Sequence, residues 1–512
     1  MSIHLLNIAL QAPSYFGFLK GLQSLENTQS LKLKAYLNEI PNRIASYKEF
    51  IQKYPITTYS NWHETFTNAK ANPKKSTELL GFDPVRWEPT SGSTHSQKWI
   101  PYSQKFLSEL DSALAPWMVD LGLRYPGTLR GCHYWSLSWQ PESLRQQGLT
   151  NNDLELFPAW KKFLMNKIMA VPFEVSLLEQ NDQWLLATIT FLVSRSDLSF
   201  VSVWSPTFWL NICKKLFVQR NQVSKILESG EWPSEIKFGK QLGTRAPKNK
   251  VSAFILSQMK SESEVAKLWP RLSVLSCWDS STASQFVESL RDLFPNVVIQ
   301  GKGLWATEGV VTIPFADEKV LAVNSHFYEF KDLQNEKVIP SWELRDGQEV
   351  EPIVTAGNAL KRYTLGDRLK VRAIKGKPYM NFDFIGRLQT FDIAGEKIST
   401  STALEILSEV SKRFHCQALS FLCDTNQRSY RLLLVPTPET PDAFLIEESL
   451  EEMLSRHYHY KVARELGQLK KSQVVVNPQA VQIYMDAFKK NRGLASDGQI
   501  KIEPILLVSK GI

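Results

Sequence analysis

From the first residues to about position 60, apolar side chains recur at helical spacing, as in Leu31-Lys-Leu-Lys-Ala-Tyr-Leu-Asn-Glu-Ile40, and predict a mainly helical start. Helical and strand-like segments then alternate. Short β-branched or aromatic runs stand at Phe200-Val-Ser-Val-Trp204, Ser273-Val-Leu-Ser276 and Val297-Val-Ile299, and a helix is predicted from Ser281 to Leu293, ending before Phe294-Pro295. Such alternation predicts an α/β architecture. From Lys319 to Arg372 the pattern becomes strands joined by polar turns such as Arg345-Asp-Gly347, so a β-rich subdomain is expected there. A boundary is expected between Gly386 and Gly395, dividing the chain into a large N-terminal domain, 1–388, and a small α+β domain, 389–512. In the latter, Ala418–Leu422 and Tyr430–Val435 are expected as paired strands, Ile446–His457 and Pro478–Lys490 as helices, and Gln473–Val476 as a strand between those helices.

Composition narrows the class without naming a chemistry. With 512 residues, 43% hydrophobic and 22% charged, the chain has the length for a large core and ordinary globular make-up. The formal charge of +8 suits anionic small molecules, and no dense Lys/Arg stripe points to nucleic acid. No apolar run reaches the ~20 residues needed to span a bilayer. The start, Met1-Ser-Ile-His-Leu-Leu, lacks the basic opening of a secretory signal, and the five cysteines are scattered without a CxxC pair. A reducing, cytoplasmic location is therefore expected. Cys277 is better explained as a buried strand-end residue than as a nucleophile. His457 and His459 lack a third ligand and are expected to serve packing or face solvent.

The chemistry gathers in four places. Thr90-Ser-Gly-Ser-Thr-His-Ser-Gln-Lys98 is a hydroxyl-rich loop in which Gly92 permits close backbone approach, hydroxyls and amides can donate to phosphate, and Lys98 adds a point charge. It is not the P-loop pattern. Trp305-Ala-Thr-Glu308-Gly309 lies between two β-rich runs. Arg362-Tyr-Thr-Leu-Gly366-Asp367 precedes the strand-like Leu369-Lys-Val-Arg, and Phe384-Ile-Gly386-Arg387 leads through Asp392 to Gly395-Glu396-Lys397. Alone, the loop reads more readily as a solvated turn, and each of the other three equally well as a strand-end turn carrying a carboxylate. Their order along one chain resembles the signature series of acyl-adenylate-forming enzymes.

Further segments sharpen that resemblance. Tyr54-Pro-Ile-Thr-Thr-Tyr59, Val203-Trp-Ser-Pro-Thr-Phe208, Leu268–Trp278, Gly301–Gly309, Ser325-His-Phe-Tyr-Glu-Phe330 and His459–Leu469 are similar to landmarks of the Gretchen Hagen family of acyl acid-amido synthetases, its bacterial branch in particular. The resemblance runs from about residue 50 to the C-terminus. It implies an adenylate-forming domain under a mobile C-terminal lid, and an ATP- and Mg²⁺-dependent ligase that joins a carboxylic acid to an amine through an acyl-adenylate. It places Ser91, Gly92, Ser93, Thr94 and Lys98 on the terminal phosphates of ATP. Trp305 and Ala306 lie against the adenine side, and Thr307 contacts the α-phosphate. Glu308 reaches Mg²⁺, Asp367 the ribose, and Arg387 the ribose or hinge. Lys501, in Gly498-Gln-Ile-Lys501, takes the place of the lid lysine that bridges carboxylate and α-phosphate. Trp204, Thr207, Phe208 and Trp278 fall in segments that line the acid pocket of relatives, and an aromatic lining favours an aryl or otherwise apolar acid.

Two departures stand against the family pattern. His95 occupies a loop position where relatives carry a small residue, and the span Gly386–Gly395 is about one residue short, with Leu388-Gln-Thr390 in place of acidic hinge residues. Two other functions share the same residues. One passes the acyl group to a thiol of coenzyme A or a carrier domain; the other is a degenerate binder of nucleotide or acid. The acid, the amine and the oligomeric state are not encoded in any motif.

Overall fold

The computed structural model describes residues 3–38, 46–90, 98–136, 159–178, 180–233, 245–280, 283–387, 390–391, 393–394, 396–492 and 500–508. The start is helical, as the periodicity predicts, with helices Ile3–Gln23, Leu25–Leu37 and Tyr47–Lys53. Gln29, fully buried, ties the second of these helices to the segment Val323–Tyr328. Its amide donates to the carbonyls of Val323 and His326, and its oxygen accepts from the Tyr328 amide.

At the centre, strands Cys132–Trp135, Leu198–Ser202, Val274–Cys277 and Val298–Gly301 pair in that order, all parallel. The first three are buried at every position, which is why their sequence shows apolar runs rather than alternation. Helices Pro206–Ser229 and Ser284–Leu293 flank them. The strand expected to run through Trp204 stops at Ser202, which leaves Trp204 in a loop at the carboxyl edge of the sheet.

The β-rich stretch forms an antiparallel sheet of eight strands between Thr312 and Arg387. It is not a separate core: Ile313, Val350, Leu369 and Phe382 belong to one buried cluster with Phe200, Val274 and Leu275 of the parallel sheet. After it, strands Gln473–Val476, Ser429–Val435, Gln417–Asp424 and Ile505–Val508 make a second mixed sheet in that spatial order. Helices Thr400–Arg413 and Ala443–Ser455 bury one face of it around Ile406, Val410, Ile446 and Leu450, while Ala480–Arg492 packs on the other through Tyr484 and Phe488. The second cluster also takes in Phe286, from the helix Ser284–Leu293. The expected strands and helices of this region are therefore present with ends shifted by a few residues. Among the described residues no helix is long and apolar enough to cross a membrane.

Candidate functional site

The parallel strands deliver their carboxyl ends to one place, where open α/β sheets bind ligands. Trp204 follows the second strand and Trp278 the third. Trp305 stands four residues beyond the fourth. Their rings meet: Trp204 lies 5.5 Å from Trp278 and 6.3 Å from Trp305, centroid to centroid, and Trp117 closes the group 6.4 Å from Trp305. Gly303 makes the bend that carries the chain from strand to Trp305. Its φ is +77°, and a Cβ there would stand 2.6 Å from the Thr312 carbonyl, so only glycine fits.

A cavity opens beside these rings, lined by Trp278, Trp305, Asp367, Arg387, Thr400 and Lys501 together with Ser205, Pro206 and Thr207. Three helices present their first turns to it: Pro206–Ser229, Ser284–Leu293 through the preceding Ala283, and Thr400–Arg413. Their dipoles favour a negative ligand, and Arg387 and Lys501 add positive charge beside those helix starts.

Asp367 and Arg387 are cross-strand partners in the antiparallel sheet, with Arg387 Nε donating to Asp367 Oδ1 at 2.8 Å. Gly366, at φ +73°, makes the left-handed turn that starts the Asp367 strand. Asp367 is 1% exposed and Arg387 much more open, so the pair is a buried carboxylate with its cation facing the cavity. The Asp367 charge, and that of Glu503 beyond it, hold Arg387 further toward its charged form.

Thr307 and Glu308 form the tip of a hairpin between Trp305–Ala306 and Gly309–Val310. The tip is held by buried groups: Tyr102 donates to the Thr307 carbonyl at 3.0 Å, and Asn358 to the Glu308 carbonyl at 3.0 Å. Tyr363 reaches the Glu308 carboxylate itself at 3.2 Å. Burial raises the Glu308 carboxyl above its ordinary range, with its own backbone amide, Arg387 and Lys98 pulling the other way. Behind the hairpin the Val310 amide donates to His326 Nε2 (3.2 Å), which leaves Nδ1 to donate to Glu109 (3.0 Å). Lys98 closes the hydroxyl-rich loop, its carbonyl accepting from the Thr90 amide at 2.8 Å, and its ammonium stands 5.4 Å from the Tyr59 ring. Burial lowers it, the Glu308 charge opposes the fall, and Arg387 adds to it. Ser91, Gly92, Ser93, Thr94 and His95 lie outside the described residues, as do Leu388, Gln389, Asp392 and Gly395 of the short hinge.

Lys501 enters from the C-terminal sheet. The strand Ile505–Val508 pairs parallel to Gln417–Asp424, which sets the preceding residues at the cavity. Its ammonium lies 3.5 Å from the Trp278 ring centroid. Burial and the nearby Arg387 lower it to about 8, against the pull of Asp367, Glu503 and Glu308.

Known proteins share this architecture. The family model for the GH3 family N-terminal domain matches residues 20–299, more than half of the chain, and that for the GH3 family central domain matches 319–387. The chain belongs to the GH3 family. Among solved structures it is similar to the GH3.15 acyl acid amido synthetase, 16% identical, covering 95% of this chain and 92% of that one with a TM-score of 0.76. A second structure, AtGH3.15 acyl acid amido synthetase in complex with 2,4-DB, is 16% identical over 98% of this chain and 94% of that one, with a TM-score of 0.77. No curated protein matches the sequence.

In this GH3 chain, residues from position 205 to position 504 line one cavity. Thr207 and Trp278 line it, and Trp204 backs Trp278. Phe208 is placed differently, 4% exposed in the core, its ring 6.3 Å from Trp184. Cys277 is fully buried with its thiol pushed up to about 12 by burial, which removes it as a nucleophile. Sequence reasoning missed Lys302, 3% exposed, whose ammonium donates to Ser202 Oγ at 2.7 Å between the rings of Trp117 (4.9 Å) and Trp204 (5.1 Å). It also missed Tyr102, Asn358 and Tyr363, which fix the Thr307–Glu308 tip. The glycines on either side of Lys302 were the available signal, since they mark a backbone under close constraint.

Proposed function

We propose that this GH3 chain activates a carboxylic acid with ATP as an acyl-adenylate and passes the acyl group to an amine, with release of AMP. The observation that carries the reading is the meeting of Lys501, Arg387 and Asp367 with an aromatic wall and three helix starts around one cavity. A carboxylate resists attack because oxide is a poor leaving group. Attack of its oxygen on the α-phosphorus expels pyrophosphate and leaves AMP as the leaving group for the amine.

The residues divide this work by chemistry. Lys98, Ser91, Gly92, Ser93 and Thr94 are assigned to the terminal phosphates, Thr307 to the α-phosphate, and Trp305 with Ala306 to the adenine side. Asp367, which accepts from Arg387, is assigned as the acceptor for ribose hydroxyls. Lys501 offers the mobile cation that brings two anions together. Thr207 and Trp278, with Trp204 behind Trp278, are assigned to an aryl or apolar acid. Among the described residues no three metal-ligating side chains converge, and the single carboxylate of Glu308 fits Mg²⁺ whose other ligands are phosphate oxygens and water. When bound, that ion supplies charge neutralisation at the phosphates.

We assign 1–388 to the adenylating domain and 389–512 to the lid, place the chain with the bacterial members of the family on its sequence segments, and assign it to the cytoplasm. Carboxylate-dependent ATP–pyrophosphate exchange over an acid panel tests the reading. Wild-type protein is expected to exchange with at least one aryl or apolar acid, and Glu308→Ala to lose at least ~100-fold, the scale of one transition-state charge contact. No exchange with any acid would reject the proposal. Mass analysis of products with competing amines and thiols separates amide from thioester formation.

A further inference from the structure

Two independent contacts fix Lys501. Its backbone is held from behind by Tyr484, fully buried on the helix Ala480–Arg492, whose hydroxyl donates to the Lys501 carbonyl at 3.1 Å and accepts from the Glu503 amide at 2.9 Å. Its side chain crosses to the large domain and ends on Trp278, 3.5 Å from the ring centroid. That is closer than the ~6 Å limit for a cation–π contact, and indole is the strongest of the aromatic faces. Trp278 in turn leans on Trp204 at 5.5 Å and lines the cavity.

We infer that Trp278 is a positioning residue: its indole face seats the Lys501 ammonium at the mouth of the acid pocket and so fixes the lid in the orientation that serves adenylation. The inference rests on the proposed adenylation at this site for its catalytic consequence, but the seating itself does not. Arg387, Asp367, Glu503 and Glu308 are the charged groups that bear on this ammonium. None of them supplies a flat aromatic face, and the Trp278 ring is the one on which the ammonium stands.

The seating is read directly by reductive ¹³C-methylation of the full chain, which keeps the lysine charge and gives each lysine an NMR signal. Loss of one signal in Lys501→Arg assigns it. In wild-type protein the Lys501 methyls are expected well upfield of the other lysines, because they lie over an indole. Trp278→Leu should return them to the common position, and Trp278→Phe should leave a smaller displacement. A Lys501 signal at the ordinary position in wild type, or one unmoved by Trp278→Leu, would overturn the inference whether or not exchange is found. Where exchange is found, Trp278→Leu is expected to lower its kcat about ten-fold, equivalent to about 1.4 kcal/mol, with Trp278→Phe recovering most of it. A loss confined to the KM for the acid, with kcat intact, would reduce Trp278 to a pocket wall and overturn the positioning role.

Discussion

At the scale of single residues, Lys501 and Glu308, two of the site groups whose protonation is displaced, bracket a pH range. Lys501 needs its proton to draw two anions together, and burial has lowered it to about 8. The free enzyme should therefore lose kcat/KM for exchange as pH rises through about 8, because that parameter reports the unliganded protein. Lys501→Arg keeps its charge far beyond that range, so its profile should show no such limb, at a lower plateau because a planar fork does not replace a point charge. Persistence of the limb in Lys501→Arg would assign it to another group. Burial raises the Glu308 carboxyl, so an acid limb arising from the unliganded Glu308 should set in at higher pH than for an ordinary carboxylate. Linkage gives the signs for stability. Between about 8 and the ordinary lysine value the unfolded chain binds more protons at Lys501, so this group's contribution rises with pH there. Between the ordinary and the raised carboxyl values the folded chain binds more at Glu308, so its contribution falls as pH rises.

At the scale of elements, the site depends on backbone held by buried hydroxyls and amides. Tyr484→Phe removes one hydroxyl that serves both the Lys501 carbonyl and the Glu503 amide. Leaving a buried polar group unsatisfied costs about 1–3 kcal/mol. The variant should unfold at lower temperature by calorimetry and exchange more slowly. A variant as stable and as active as wild type would show that this loop is held elsewhere. Such clamps explain what was legible in the sequence. The strands Leu198–Ser202, Val274–Cys277 and Gln473–Val476 announce themselves through β-branched or aromatic runs, with ends shifted in the first two, and Asp367, Glu308 and Lys501 stand out because their types and order match a known chemistry. Tyr484, Tyr102 and Asn358 leave no such trace, since a single buried hydroxyl or amide looks the same in any helix or strand until the fold brings its partner from 17 to 205 positions away. The same limit explains Phe208: its neighbour Thr207 reaches the cavity, but the helix turns its ring toward Trp184.

Across the whole molecule, the two proposed domains have separate interiors. One cluster runs from Phe18 to Phe382, and another from Phe391 to Ile505. Phe286, 5% exposed on the helix Ser284–Leu293, departs from this division. It is buried with Leu419, Tyr484 and Ile500 of the C-terminal region, and the partly buried Leu210 packs against the same cluster. It therefore fastens one body to the other at the edge of the same cavity, which its own side chain helps to line. Truncating a buried phenylalanine costs about 3–5 kcal/mol in a core. Here the loss falls on docking rather than on either interior, so each body should keep its own fold. Phe286→Ala is expected to show a small transition ahead of the main one in calorimetry, where wild type melts with the two more closely joined. Exchange should fall in parallel, because Lys501 reaches the cavity only while the C-terminal body is docked. A single transition moved bodily to lower temperature would mean that the two interiors unfold as one unit and that Phe286 is ordinary core.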